Sequence, residues 1–342
     1  MDRLKKIAKN LDSKDNLSKF REKFILPEDK IYLDGNSLGV LAKDTINDIN
    51  HTIKEEWGNN LISSWNTSWI KLPRMVSQKL ASIIKSDEDE VYVGSSTSIN
   101  LFKLIKSILQ SNKSIDNITT DNLNFPSDKY ICEQIAKDFK IEFNFLDYGN
   151  DLIADIEKLK EFIKKKRGII VLSHVAYKCS YRYPIKEISK FSKDNNTIVI
   201  WDLSHSIGAV NIDVDLNQVD YAVGCTYKYL NGGPGSPAFI YVREQELRKL
   251  KSPIRGWFSH DKPFEYSFEY KESNSIDKFS NGTPHILSLS TLKTSLDITI
   301  EATTDELNIK SAKLFDYFVS IYTDELKKLN FKLLTPMDKS KR

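Results

Sequence analysis

Between residues 91 and 242 the chain alternates short apolar, β-branched runs with polar stretches of helical period, and this leaves few ways for it to fold. The runs fall at 91–94, 118–120, 141–146, 168–174, 197–202, 221–226 and 238–242. The spacing predicts helices over 99–109, 128–139, 152–166 and 185–193. Strands alternating with helices imply an α/β fold with a mostly parallel sheet flanked by helices, because a parallel connection must cross over the sheet. In such a sheet a ligand sits beyond the carboxyl ends of the strands.

Outside that region the character changes. Residues before Trp57 read as an amphipathic helix followed by the turn-rich YLDGNSLG at 32–39. From Ser290 the chain reads as helical through Leu329, and then turns apolar at FKLL, 331–334. A lone FKLL strand has no neighbour to satisfy its backbone groups. The 342 residues amount to about two domains' worth of chain.

Several function classes drop out. No apolar run approaches the ~18–20 residues that span a bilayer, and the N-terminal MDRLKKIAKNLDSKDN lacks the apolar core of a signal peptide, so the expectation is a cytoplasmic protein without a membrane partner. Cys132, Cys179 and Cys225 form no C-x-x-C pattern and are expected as reduced thiols in or near the core. A net charge of +3, with KKKR at 164–167 read as a solvated helix end, gives no basic stripe for nucleic acid. The five histidines (His51, His174, His205, His260, His285) show no paired ligand spacing, so no metal site is expected. Neither a P-loop nor a G-x-G-x-x-G is present, and GGPGS at 232–236 lacks the phosphate-gripping lysine.

What remains is a set of strand-end positions. Asp202 closes the run TIVIWD, and Lys228 follows the next run, YAVGCT. Alone, the aspartate reads as a turn or cap and the lysine as surface. On one carboxyl edge the two suit pyridoxal phosphate, which needs a lysine to bond its aldehyde and an acid to keep its ring nitrogen protonated. Ser95–Asn100 (SSTSIN) offers hydroxyls and a helix N-terminus for a phosphate, with a Ser/Thr-rich cap as the plainer alternative. Phe125, in NFPSDKY, could face the ring or sit in the core.

Together these pieces resemble the kynureninases, pyridoxal-phosphate enzymes of the aspartate-aminotransferase (type I) fold. The resemblance spans nearly the whole chain and rests on YLDGNSLG (32–39), EEWGNNLISSW (55–65), SSTSINL (95–101), NFPSDKY (124–130), WDLSHSIGAV (201–210), CTYKYLNGGPGSPAFIYV (225–242), GWFSH (256–260) and FSNGTPHILSL (279–289). It implies Lys228 as the lysine bonded to pyridoxal phosphate and Asp202 as the partner of the ring nitrogen. His205 would lie near the ring and Phe125 would stack on it. Thr97, Ser98, Pro126, Ser127, Asp128 and Tyr227 would hold the phosphate and its surroundings, with Ser173 close by.

Trp257 and Thr283 would reach the site of a neighbouring subunit, implying a homodimer. Trp65, Phe258 and His260 would line the pocket for the aryl group. The implied reaction splits L-kynurenine, or its 3-hydroxy derivative, into anthranilate or 3-hydroxyanthranilate and L-alanine, with Tyr227 as proton carrier. The Gly282-Thr283 pair leans toward kynurenine. The implied organisation is an N-terminal segment (1–57) joining a small α+β domain, a cofactor domain (58–289) and the truncated start of the small domain (290–342).

The family's arginine for the substrate carboxylate has no match before Arg342, so a cofactor-binding but weakly active protein is the first alternative. A cysteine desulfurase-like lyase is the second. It would call for histidine before the lysine, where this chain has Tyr227, and for a reactive loop cysteine.

Overall fold

The computed structural model describes residues 2–342. Helix α1 (Asp2–Asp12) and the two-residue antiparallel strands β1 (Phe24–Ile25) and β2 (Leu41–Ala42) precede α2 (Lys43–His51). After two wide helical turns and α3 (Leu72–Ile84) come β3 (Val91–Val93), α4 (Thr97–Ser111), β4 (Asn117–Asp121), α5 (Pro126–Phe139), β5 (Glu142–Leu146), α6 (Ile156–Lys165), β6 (Ile169–Ser173), α7 (Ile185–Asp194), β7 (Ile198–Asp202), β8 (Tyr221–Gly224) and β9 (Phe239–Val242). The short α8 (Glu244–Leu247) and an irregular stretch lead to α9 (Ile286–Ala302) and α10 (Thr304–Asp324). Every strand and helix expected between 91 and 242 is present.

The seven strands β3–β9 form one sheet in the order β3-β9-β8-β7-β6-β4-β5. Only β9 runs against its neighbours, pairing antiparallel with β3 and β8. Side chains alternate across the sheet, so each strand feeds two cores. Ile170, Leu172 and Trp201 join α3, α6, α7 and α9 on one face, while Ile169, Val171, Ile200 and Val223 join α4 and α5 on the other. With both faces covered the strands read as continuous apolar runs, which is why they were legible.

Local chemistry sets the boundaries. The Ser96 hydroxyl caps α4 by accepting from the Ile99 amide, and the Asp155 carboxylate caps α6 from the Lys158 amide at 3.0 Å. Pro126 opens α5 at its first turn, where no backbone donor is lost. The 164–167 basic run sits at the exposed end of α6, and all three cysteines are buried and unpaired, as expected.

The C-terminal part differs from the expectation in where its helices begin and break. The helix predicted from Ser290 through Leu329 starts earlier and breaks at Thr303, whose φ of 62° interrupts the helix while its hydroxyl caps α10. FKLL forms no strand, and Phe331 and Leu334 are exposed. The boundary expected at residue 290 falls within α9, whose Leu289, Leu292 and Leu296 belong to the same core as α3.

Leu292 is fully buried and packs close to Gly232 in the loop after Lys228. Leu292→Ala is expected to lower the unfolding free energy by about 2–5 kcal/mol, read as a drop in denaturant midpoint at unchanged slope.

Candidate active site

The carboxyl ends of β3, β4, β6, β7 and β8 lie along one edge of the sheet and deliver Ser95, Asn124, Ser173, Asp202 and Lys228 to it. Ser173 and Asp202 are direct partners in the β6–β7 register, and Asp202 is opposite Val223 in β7–β8. Asp202 is buried and accepts the Ser204 amide at 2.8 Å. Asp128, in the first turn of α5, is buried against it, and its Oδ2 has no protein donor. Burial first, then the charge of Asp202, pushes the Asp128 carboxyl well above its ordinary value. Burial also raises Asp202, opposed by its hydrogen bonds to Ser204 and by the charge of Lys228. Two carboxyls in one dry site oppose each other's ionisation.

Lys228 is 8% exposed, and its Nζ donates to His205 Nε2 at 2.5 Å. The bond leaves the imidazole hydrogen on Nδ1, which is buried without a partner. Burial, then the charge of Lys228, depresses His205 to about 4. Phe125 is not a core residue: it is 41% exposed, with Lys228 Nζ 5.8 Å from its ring centre.

Next to this cluster a cavity of about 690 Å³ is lined by Ser95, Ser96 and Thr97 at the start of α4, with Cys225, Tyr227 and Ser236 opposite. Backbone amides at a helix start suit an anion. Burial pushes the Tyr227 hydroxyl up to about 12, so it carries its proton at neutral pH. Ser98 and Ser127 lie half-buried in the first turns of α4 and α5, as does Pro126. The Ser173 hydroxyl is already committed, donating to Asn124 Oδ1 at 2.5 Å.

The other expected residues form a second group. Trp65 stacks on Phe258 with ring centres 5.9 Å apart. Phe258, His260 and Thr283 line a neighbouring cavity of about 620 Å³ that shares Ser95 and His285 with the first. Both ring nitrogens of His260 are engaged within its own loop, Nδ1 accepting from the Lys262 amide and Nε2 donating to the Glu269 carbonyl. The Trp257 indole donates to the Pro263 carbonyl, and neither Trp257 nor Thr283 lines the first cavity.

Three contributions escaped the sequence reading. Tyr177 packs edge-on against Phe125 at 5.1 Å and lies 6.4 Å from the His205 ring; it sits on an irregular segment with no periodic signal. Asn124 links Ser173 to Thr120 and the Val171 carbonyl, and was visible only as part of NFPSDKY. Gly39 donates its amide to the Tyr227 carbonyl at 2.8 Å, and Val40 donates to Asn231 Oδ1 at 2.9 Å. A Cβ at Gly39 would stand 2.2 Å from the Lys228 carbonyl oxygen. The DGNSLG turns could have signalled such a close approach.

The donor set fits pyridoxal phosphate: a buried amine for its aldehyde, a buried carboxyl pair, one oxygen of which has no protein donor, for a protonated ring nitrogen, an exposed aromatic face, and amides with hydroxyls for its phosphate. Among the described residues no group of acidic, histidine or cysteine side chains is placed to hold a metal.

Comparison with known proteins bears on the same region. The model of the class-V aminotransferase family matches residues 31–336, and the chain belongs to that family. A kynureninase of Pseudomonas fluorescens is 38% identical over 337 residues, covering 97% of this chain and 80% of the relative. One from Burkholderia mallei is 36% identical over 331 residues, covering 95% and 78%. Within the class-V family, the chain therefore belongs with the kynureninases.

Among solved structures, the apo cysteine desulfurase of Thermococcus onnurineus NA1 superposes with a TM-score of 0.80 at 20% identity, over 95% of this chain and 80% of that one. A C-DES mutant carrying glycine covalently linked to its PLP cofactor superposes at 0.73 and 19%, over 84% and 75%. At those identities the likeness is one of fold. The desulfurase alternative would need a reactive loop cysteine, whereas burial raises the thiols of Cys132, Cys179 and Cys225.

Burial also depresses His174, beside the site, to about 3. Because an unfolded histidine titrates near ~6.5, acidification from pH 7 to 5 adds protons to the unfolded chain only and lowers stability through these two groups. Ring-proton NMR of the cofactor-free protein is expected to show His174 and His205 neutral from pH 8 down to 5. A midpoint near pH 6.5 for either would contradict their burial.

Proposed function

We propose that this chain is a kynureninase, which uses pyridoxal phosphate to hydrolyse the Cβ–Cγ bond of L-kynurenine or 3-hydroxykynurenine, releasing anthranilate or 3-hydroxyanthranilate and L-alanine. The observation that carries this reading is the buried Lys228 amine on the sheet edge beside the buried carboxyl pair of Asp128 and Asp202, in a chain related over almost its full length to kynureninases. When bound, the cofactor supplies an electron sink for the negative charge that develops next to the substrate amine.

The protein's own groups then divide the work. Lys228 anchors the cofactor and, as a free amine, takes the proton from the substrate α-carbon. His205 beside it is neutral, so it accepts a hydrogen bond without adding a second positive charge. Asp202, backed by Asp128, keeps the pyridine nitrogen protonated, and Phe125 covers the ring. Thr97, Ser98 and Ser127 would serve the phosphate region with the α4 amides, and Ser173 holds the Asn124 side chain at the same sheet edge. The Tyr227 hydroxyl, which carries its proton at neutral pH, would give that proton to Cβ as the Cβ–Cγ bond breaks and recover one from the water whose oxygen bonds to Cγ, so that Cβ gains H and Cγ gains OH. Trp65 and Phe258 form an apolar wall for the aryl group, with His260 at its margin.

The active unit is a homodimer in which Trp257 and Thr283 complete the partner's phosphate site. Neither residue lines the cavity at the start of α4 in its own chain, which supports this. The Gly282-Thr283 pair favours kynurenine over the 3-hydroxy substrate. Residues 58–289 act as the cofactor domain, with 1–57 and 290–342 contributing to a second, small one.

Protein reconstituted with pyridoxal phosphate is expected to absorb in the visible and to convert kynurenine to fluorescent anthranilate. Lys228→Ala is expected to lose the absorbance and at least about a thousandfold of turnover. Equal spectra for the two proteins would overturn the Lys228 assignment.

Mixing inactive Lys228→Ala with Trp257→Ala chains is expected to restore up to about a quarter of wild-type activity, because half of the sites in each mixed dimer are intact. No recovery on exchange of subunits would count against Trp257 crossing between sites.

A further inference from the structure

Helix α4 carries an anomaly on its buried face. Asn100, Lys103 and Ser107 fall at helical spacing among Leu101, Leu104, Ile105 and Ile108, and all three polar residues are fully buried. Asn100 and Ser107 take backbone carbonyls, those of Gly94 and Lys251. Lys103 is different because it brings a charge. Its Nζ donates to Ser95 Oγ at 3.0 Å and to the Phe279 carbonyl at 2.8 Å, and it lies 4.9 Å from the Tyr92 ring centre. The Tyr92 hydroxyl in turn contacts Ser95 and Ser280. No carboxylate among the described residues offsets the charge, and burial alone pulls the amine down to about 8. Burying an ammonium against neutral acceptors is costly, and a methionine would fill the same space without that cost.

The position of Lys103 suggests what it is for. Ser95 is the residue where β3 turns into α4, with a φ of 57°, and it lines both cavities. Phe279 opens the loop that carries Thr283. We propose, on the basis of the pyridoxal phosphate reading above, that Lys103 is a positioning residue for the cofactor's phosphate. Through Ser95 it sets the turn that presents the α4 amides, and it places a positive charge behind that cradle. Through the Phe279 carbonyl it ties the cradle of its own chain to the loop expected to serve the neighbouring one. An anion in the cradle is the counter-charge that the protein does not itself provide.

A purely structural lysine and a phosphate-positioning one separate when ligands with and without phosphate are compared. Cofactor-free wild-type protein, Lys103→Met and Ser95→Ala would each be titrated with pyridoxal phosphate and with pyridoxal, following the absorbance of the Lys228 adduct, alongside the thermal midpoint of the cofactor-free form. Lys103→Met is expected to weaken pyridoxal phosphate at least about tenfold, to leave pyridoxal unchanged, and not to lower the thermal midpoint. Ser95→Ala shifts the same ratio in the same direction, and carries the test if Lys103→Met does not fold. An equal loss for both ligands, or no loss for either, overturns the proposal while leaving the wild-type cofactor assignment standing. Wild-type protein that binds neither ligand overturns the cofactor assignment and this role together.

Discussion

The site depends on the register of three parallel strands. β6, β7 and β8 pair so that Ser173 meets Asp202 and Asp202 meets Val223, and the loop after β8 then carries Lys228 to the same edge. A strand's faces alternate, so a slip of one residue would turn Asp202 away from the α4–α5 face it shares with Ile200. Asp128 would then be left buried without its partner. The register is held by the core itself: Trp201 must enter the side packed by α7, where its indole donates to Ser189, while Ile200 enters the opposite side. The same alternation that stabilises the sheet therefore aims the carboxylate.

Around that edge the protein concentrates charge where burial opposes it. Asp128, Asp202 and Lys228 are buried and His205 is half-buried, and Asp128 Oδ2 and His205 Nδ1 have no partner within the chain. Other charged side chains are capped or paired, such as Asp155 at the start of α6 and Arg243 between Asp215 and Asp220. Local disagreement between burial and bonding is the mark of a site shaped for something other than the folded chain alone. A cofactor carrying a ring nitrogen, an aldehyde and a phosphate would answer most of these disagreements together.

How much of this could be read beforehand follows from the range of the forces involved. The strands and helices from 91 to 242 were legible because burial on both faces writes each strand as an unbroken apolar run. Asp202, Lys228 and the SSTSIN turn were legible because they interrupt or follow those runs. The reversal of β9 was not read, though the glycine-rich 231–235 segment between β8 and β9 holds no crossover helix. Tyr177 left no pattern, since its role arises from an irregular segment meeting Phe125 from another loop. The break at Thr303 was hidden because its neighbours are all compatible with a helix, and only its backbone geometry separates α9 from α10.

The N-terminal segment shows the same limit from the other side. YLDGNSLG was visible as a turn-rich stretch, yet nothing local says that it touches the loop of Lys228, far along the chain. The contact is made by the segment's backbone: the Gly39 amide reaches the Tyr227 carbonyl, the Val40 amide reaches the Asn231 side chain, and the space at Gly39 admits no side chain. A backbone contact of this kind fixes the path of the lysine loop without adding a charge or a donor to the site itself. It also makes the geometry of Lys228 depend on docking of a segment outside the sheet, with Ser37 and Leu38 forming part of the cavity wall. Assembly of the site is thus the last consequence of the fold, available only once the sheet edge and the N-terminal segment have met.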